Sequence, residues 1–320
     1  MTNWTEWCGG RTQADLFVVN ARPYPRVCAF SARFRLCMTD IPDPRDFQPT
    51  KAIVTGGSSG IGQATAIALA QAGMDVAITY HSDEEGAKAT ERAVEKAGRK
   101  CFVEQADLSD VPEGAYVMER MIRSLAGCHV CVANAGGGIP YDPDEIDWND
   151  WRTTIALNLD APVLCLQLAA RDMIERKEGG RLIAVTSVHD AIPLPSSMAY
   201  TAAKHGLRGA VATMALKLGQ AHGITANCVA PGEIATAIND QSGGDAVRGS
   251  LPRPAIPAAR PGHADEVARV IAFLASAQSS FVTGASWKVD GGLTAAGALA
   301  AHMHREKWLE ETGQTETFET

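Results

Sequence analysis

A doubly wound α/β fold, with one parallel sheet and helices on both faces, is predicted by three features of this 320-residue chain. Short apolar runs alternate with helix-forming stretches through the middle of the sequence, the order in which parallel sheets are built. The first run feeds a glycine-rich turn that opens a helix. The later runs are apolar almost throughout, as strands covered on both faces must be.

Lys51-Ala-Ile-Val-Thr is the first β-rich run, and the turn Gly56-Gly-Ser-Ser-Gly60-Ile-Gly62 follows it. Gln63 to Gly73 is alanine-rich and stops on glycine, the pattern of a stable helix with a C-terminal signal. Met74 to Tyr80 reads as the second strand and Glu84 to Gly98 as the second helix. Cys101 to Ala106 is the third strand, ending at Asp107-Leu108, and Pro112 to Leu125 is the helix after it. His129 to Ala133 is the fourth strand and runs into Asn134-Ala135-Gly136-Gly137-Gly138. One long helix is expected from Trp148 to Glu175, then the buried strand Arg181-Leu-Ile-Ala-Val-Thr-Ser187, then a helix from Tyr200 to Leu218.

Three glycines of this turn carry a chemical expectation. Glycines at 56, 60 and 62 let the backbone approach a pyrophosphate, whose charge is stabilised by free N–H groups at a helix N-terminus. Their Gly-x3-Gly-x-Gly spacing differs from the common dinucleotide fingerprint, and a purely structural turn is the alternative.

Tyr200 and Lys204 stand four residues apart in a helical stretch and project from one face. A free tyrosine ionises near pH ~10, and a neighbouring ammonium lowers that value by favouring the phenolate. Ser187, at the carboxyl end of its strand, is placed to hold a substrate oxygen, because open α/β sheets bind ligands there. Tyr-x3-Lys by itself is more often an ordinary helix surface, so the order Ser187, Tyr200, Lys204 gains its meaning from the rest of the chain.

With these elements in place the chain resembles the short-chain dehydrogenase/reductase family over roughly residues 51–293, through Thr55-Gly56-x3-Gly60-Ile61-Gly62, Asn134-Ala135-Gly136, Asn158, Ser187, Tyr200, Lys204 and Pro231-Gly232. The resemblance implies a single Rossmann-like catalytic domain over residues 49–295 and a nicotinamide cofactor. It implies that Ser187, Tyr200, Lys204 and Asn158 form the catalytic set, with Tyr200 the acid in ketone reduction and the base in alcohol oxidation. Asn158 would hold a water linking Lys204 to solvent, and Lys204 would also grip the nicotinamide ribose. Gly56, Ser58, Ser59, Gly60, Ile61 and Gly62 would cradle the pyrophosphate, and Asp107 with Leu108 would meet the adenine. Asn134, Ala135 and Gly136 would line the adenosine side, and Pro231, Gly232, Ile234 and Thr236 the nicotinamide carboxamide. Ala133 and Thr186 replace an asparagine and a serine common in the family, and neither change removes a catalytic group.

The second strand ends Tyr80-His81-Ser82, without the carboxylate that NAD-preferring enzymes place there for the ribose hydroxyls. His81 and Ser82 could donate to a 2'-phosphate, so NADP is expected, with NAD the alternative. Asp83 and Glu84 are expected to cap the next helix instead.

A formal charge of −8 and the lack of a basic stripe argue against nucleic acid as a partner. No apolar run is expected to span a bilayer, which argues against a membrane partner. Eight cysteines, several in core positions, suit a reduced compartment and a cytoplasmic protein. Cys128 and Cys131 are expected on opposite faces of one strand, hence as packing groups, and no set of residues has metal-ligand spacing. His189 lies at the expected substrate mouth, while His205 and His263 are expected to be surface or packing groups. Residues 1–48 read as a disordered arm, a mis-assigned start ahead of Met38 or a targeting segment, and residues 296–320 as a polar tail. Ala237 to Pro261 reads as a lid, closing with Ile139, Pro193 and Leu194 over an apolar pocket. Trp151–Met173 and Tyr200–Leu218 are apolar on more than one side, which predicts a homodimer or homotetramer.

The expected substrate is a small ketone or secondary alcohol, of the acetoin or diacetyl type. A sugar or a 3-oxoacyl-carrier-protein substrate is the alternative, with Arg171, Arg176, Lys177 and Arg181 as a weak docking patch. A non-catalytic, dinucleotide-sensing regulator is the alternative from another class.

Overall fold

The computed structural model describes residues 41–138, 143–236 and 253–312. The expected N-terminal arm through residue 40, Ile139, the 237–252 portion of the expected lid and the end of the tail beyond 312 lie outside the described residues.

Seven parallel strands form the main sheet: β1 (Lys51–Val54), β2 (Asp75–Tyr80), β3 (Cys101–Gln105), β4 (Val130–Ala133), β5 (Gly180–Val185), β6 (Ile224–Pro231) and, at the far edge, β9 (Ser286–Val289). A small pair, β7 (Ile234–Ala235) with β8 (Gly262–His263), stands apart from it. The order β3-β2-β1-β4-β5-β6-β9 reverses direction between β1 and β4. That reversal opens a crevice at the carboxyl ends of the strands, the ligand-binding position of this fold class.

The helices are α1 (Gly60–Gln71), α2 (Glu84–Lys96), α3 (Val117–Leu125), α4 (Trp148–Ile155), α5 (Ala161–Arg176), α6 (Met198–His222), α7 (Ala264–Ala275) and α8 (Leu293–Thr312). The segment expected as a polar tail is thus helical as far as Thr312, with a break at Gly297.

Strand side chains alternate between two cores. Ile53, Cys131, Leu182 and Ala184 face the α3–α5–α6 layer, whereas Val54, Val132, Ile183 and Val185 face the α1–α7 layer. Each such fully buried branched side chain contributes about 1.5–3 kcal/mol, so a one-residue slip of any central strand would exchange the two sets.

Three expectations need correction. Cys128 and Cys131 lie in the same core cluster, because Cys128 sits in the bend ahead of β4, where the two-residue alternation has not begun. Both are free thiols raised well above their ordinary range by burial, so packing remains their role. The Trp148–Arg176 stretch is long and apolar enough to cross a membrane, but half of its most apolar window is buried in the protein, as a core helix must be. Arg181 is no docking residue: it is fully buried, donates to the carbonyls of Pro44, Gly180 and Ser276, and stacks 4.1 Å over the Phe47 ring. Its guanidinium anchors the segment leading into β1 beneath the sheet.

Candidate active site

At the turn from β1 to α1 the backbone lies bare. Gly56 has a φ of +66°, and a Cβ there would lie 3.0 Å from the Ala135 Cα. At Gly62 a Cβ would stand 2.0 Å from the Gly56 carbonyl, which no side chain tolerates. Gly60 brings the turn against Thr236, whose Cγ2 would be 3.1 Å from a Cβ. The first turn of α1 contains no acidic residue, and the Ser59 side chain makes no cap bond. The positive end of the helix dipole and its N–H groups are therefore left to an external anion. Such a cradle fits the pyrophosphate of a dinucleotide.

Asn134 has a structural part to play at the turn. Its side-chain amide donates to the carbonyls of Thr55 at 3.0 Å and Gly56 at 3.1 Å, and Thr55 Oγ1 accepts from the N–H groups of Asn134 and Ala135, both at 3.0 Å. Asn134 thus fastens the β4 loop to the glycine turn across the switch point. Gly57 donates its N–H to the Thr79 carbonyl at 2.8 Å, tying the turn to β2 as well.

At the end of β2, Tyr80 packs on the core while His81 is 72% exposed at its side chain. The His81 Nε2 stands 3.8 Å from a carboxylate oxygen of Asp107. Asp107 also accepts from the Ser109 N–H and hydroxyl, contacts that hold its carboxyl below the ordinary value. Leu108 is buried beneath it. As expected, Asp83 caps α2: its carboxylate accepts the Gly86 N–H at 2.9 Å.

The catalytic candidates converge on the other side of the crevice. The expected single helix from Trp148 is interrupted by a π turn over Ala156–Asp160. Pro162 has no N–H to return to the Asn158 carbonyl four residues earlier, so the α-helical ladder cannot close there. Within this turn Asn158 is fully buried; its side chain donates to the carbonyls of Gly137 at 2.5 Å and Thr154 at 2.9 Å, and accepts from the Gly137 N–H at 3.2 Å. The Gly136 backbone lies directly against this group. A Cβ on Gly136 would be 2.8 Å from Asn158 Oδ1 and 3.2 Å from Lys204 Nζ.

Ser187 lies two residues past the end of β5, is buried, and accepts the His189 N–H at 3.2 Å. Its side chain is hydrogen-bonded to Tyr200, one turn before Lys204 on α6. Lys204 is buried, donates to the Val185 carbonyl at 3.2 Å, and places its Nζ 5.3 Å from the centre of the Tyr200 ring. The expected acidification of Tyr200 by Lys204 is not what governs this state. Burial raises the Tyr200 hydroxyl, opposed by the bond to Ser187. Burial likewise pushes Lys204 down to about 8, with Cys228 and Asp190 acting the other way. Desolvation disfavours the charged form of both groups, the phenolate and the ammonium alike.

The nicotinamide-side candidates are also near. Ile234 and Thr236 are buried, and Gly232 donates to Val289 at 3.0 Å with no room for a side chain against Asp290. His189 packs edge-on to the Tyr200 ring at 6.3 Å. His205 is exposed and His263 caps α7, so neither joins the site. Among the described residues no cluster of potential metal ligands exists. Asp190, passed over in the sequence, is fully buried three residues after Ser187. A carboxylate between Val188 and apolar Ala191-Ile192 was the only signal of it.

Fold and site together define a dinucleotide-binding α/β oxidoreductase. The family model described as enoyl-(acyl carrier protein) reductase matches residues 56–294, and the chain belongs to the short-chain dehydrogenase/reductase family. It is 43% identical over 241 residues to the uncharacterized oxidoreductase YohF of Escherichia coli, covering 75% of this chain and 94% of that one. The crystal structure of acetoin dehydrogenase YohF from Salmonella typhimurium matches with a TM-score of 0.73 at 45% identity, covering 78% of this chain and 98% of the other. A putative 2-deoxy-D-gluconate 3-dehydrogenase from Agrobacterium tumefaciens with bound NADP matches with a TM-score of 0.69 at 29% identity, covering 79% and 99%.

Proposed function

We propose that this oxidoreductase reduces small ketones, or oxidises the matching secondary alcohols, with NADP as its cofactor. The observation that carries this reading is the meeting of Ser187, Tyr200 and Lys204 at the carboxyl end of β5, across the crevice from the uncapped start of α1. When bound, the nicotinamide supplies or accepts the hydride. Ser187 and Tyr200 hold the substrate oxygen, and Tyr200 gives it a proton as negative charge develops. Lys204, 5.3 Å from the ring, stabilises the phenolate left behind. Replenishing that proton falls to Lys204 and a water on the Asn158 backbone carbonyl, the group that Pro162 deprives of its α-helical donor.

NADP is favoured by what occupies the carboxylates near the end of β2. Asp83 is committed to the α2 cap, Glu84 and Glu85 are exposed but paired with Lys88, and the groups that directly follow β2 are the exposed His81 and Ser82, both able to donate. A relative of similar fold binds NADP. Acetoin or diacetyl is the first substrate to try, given the acetoin dehydrogenase likeness and the apolar rim of Ile192, Leu194 and Met198. The reading of a 3-oxoacyl-carrier-protein substrate loses half its basic patch, since Arg181 is buried and Arg176 pairs with Asp172 at 2.9 Å. A sugar substrate remains the alternative, and a purely regulatory protein is disfavoured because all four catalytic candidates are present. Leu216, 84% exposed on α6, supports association of this helix with a second copy as a homodimer or homotetramer. The five described cysteines are free thiols, in keeping with a cytoplasmic protein.

The test is a carbonyl panel with diacetyl, acetoin and several ketoses, run with NADPH and NADH while absorbance is followed. Tyr200→Phe should lower kcat by about a thousandfold or more while cofactor affinity stays within about twofold. Near-wild-type turnover in that variant would remove Tyr200 from its role.

A further inference from the structure

Behind the catalytic face lies a second charged group that the reaction described above does not use. Asp190 belongs to the short 3-10 turn Val188–Asp190 that follows Ser187, and its side chain is wholly buried. The carboxylate accepts hydrogen bonds from Thr186 Oγ1 at 2.9 Å and Ser286 Oγ at 2.7 Å, and forms an ion pair with Lys288. Its backbone N–H donates to the Ser187 carbonyl at 2.9 Å, and its own carbonyl accepts from Arg208 at 3.3 Å. Ser286 and Lys288 lie on β9, separated from β5 by β6, so Asp190 ties the Ser187 turn to a strand two places away. A buried carboxylate with one cation and two hydroxyls is a completed network: removing either charged member leaves the other unpaired, and removing a hydroxyl leaves the carboxylate short of a hydrogen bond.

The charges around this network come from every element packed on it. Lys204 and Arg208 approach from α6, Cys228 from β6, Lys288 from β9, and His189 from the same turn. Lys204 in turn faces Asp190 and Cys228, with Tyr200 on its own helix and Asn158 beyond Gly136.

We propose that the Asp190–Lys288 pair is a positioning device for the reaction: it clamps the Ser187 turn to the sheet and, as a compensated carboxylate behind the site, governs whether Lys204 carries its charge. Neither residue touches substrate or cofactor; both act through Ser187 and Lys204. The inference rests on the oxidoreductase reading for its consequence in catalysis, though not for its electrostatics. The negative end of the pair favours the Lys204 cation and the positive end opposes it. The two ends therefore have opposite effects, which a merely structural contact would not have.

The test compares Asp190→Asn, Lys288→Met and the double variant. In protein labelled with 13C at lysine Cε, with the Lys204 signal assigned by its loss in Lys204→Arg, NMR reads the titration of Lys204 directly. Asp190→Asn should move that titration to lower pH and Lys288→Met to higher pH, each by on the order of one unit, and the double variant should return close to wild type. The alkaline limb of kcat/KM for carbonyl reduction should move with it. Lys288 is 26% exposed on an edge strand, so Lys288→Met decides the matter even if Asp190→Asn fails to fold. An unmoved titration in folded Lys288→Met, or shifts of the same sign in both single variants, overturns the proposal. Wild-type protein that reduces no carbonyl would instead count against the oxidoreductase reading, while the NMR titration would still decide this one.

Discussion

Helices α1 and α2 begin in the same way, each just past the carboxyl end of a neighbouring parallel strand, yet their first turns are opposites. The start of α2 is closed: Asp83 caps it, Glu84 and Glu85 face the dipole, and Lys88 pairs with both glutamates. The start of α1 is open: its cap position makes no side-chain bond, it has no acid, and it is reached through a turn of glycines that leaves the backbone bare. One helix spends its N-terminal field on its own stability, and the other leaves that field unanswered by its own side chains. The difference lies in a few side chains and decides which of two equivalent βα turns can hold a phosphate.

Giving α1 what α2 has should destroy the distinction. Ser59→Asp places a carboxylate at the cap position, so cofactor affinity in a fluorescence titration should fall about a hundredfold while the melting temperature holds or rises. Unchanged affinity would mean that the pyrophosphate lies elsewhere. The rim of the same crevice offers a smaller effect. His81→Asp adds a carboxylate at the end of β2 and should shift the ratio of kcat/KM for NADPH over NADH by about tenfold or more towards NADH. The converse change at α2 should be a matter of stability alone. Asp83→Ala removes a cap and should cost about 1 kcal/mol in denaturant unfolding, with NADPH affinity within about twofold.

A last prediction concerns the cores beneath both turns. Cys101, Cys165 and Cys228 are pushed up to about 12 by burial, from an ordinary value of 9.0. A thiol with a raised folded-state pKa contributes fully below its unfolded value, and that contribution is lost as pH rises above it. These thiols should therefore make the melting temperature decline above pH 9, each costing about 1.4 kcal/mol per pH unit at most. Lys204, pushed down to about 8, works in the opposite sense over the same range, but it is one group against several. A melting temperature that climbs steadily from pH 9 to 10.5 would show that the lysine outweighs the thiols.

Much of this was legible in the sequence, for reasons that differ by element. The five strands through Val185 and the helices between them follow from local apolar runs and glycine stops, which report burial directly. The π turn was not legible, because its cause, Pro162, sits inside an otherwise regular helical pattern and acts on a carbonyl four residues earlier. That the Asn134 amide fastens two backbone carbonyls of the β1 turn was not legible either, because those carbonyls are nearly eighty residues away along the chain. Arg181 looked like surface charge until the chain before β1 was seen to cover it with carbonyls and an aromatic ring.

By itself the sequence determined the α/β class, the open glycine turn and the helical pairing of Tyr200 with Lys204, since each depends on residues within one or two turns of one another. Only the tertiary structure decided the protonation balance of that pair and the partner of Asp190. Burial depth, and a lysine 98 residues away along the chain, are set by how distant strands assemble, and no local pattern records them.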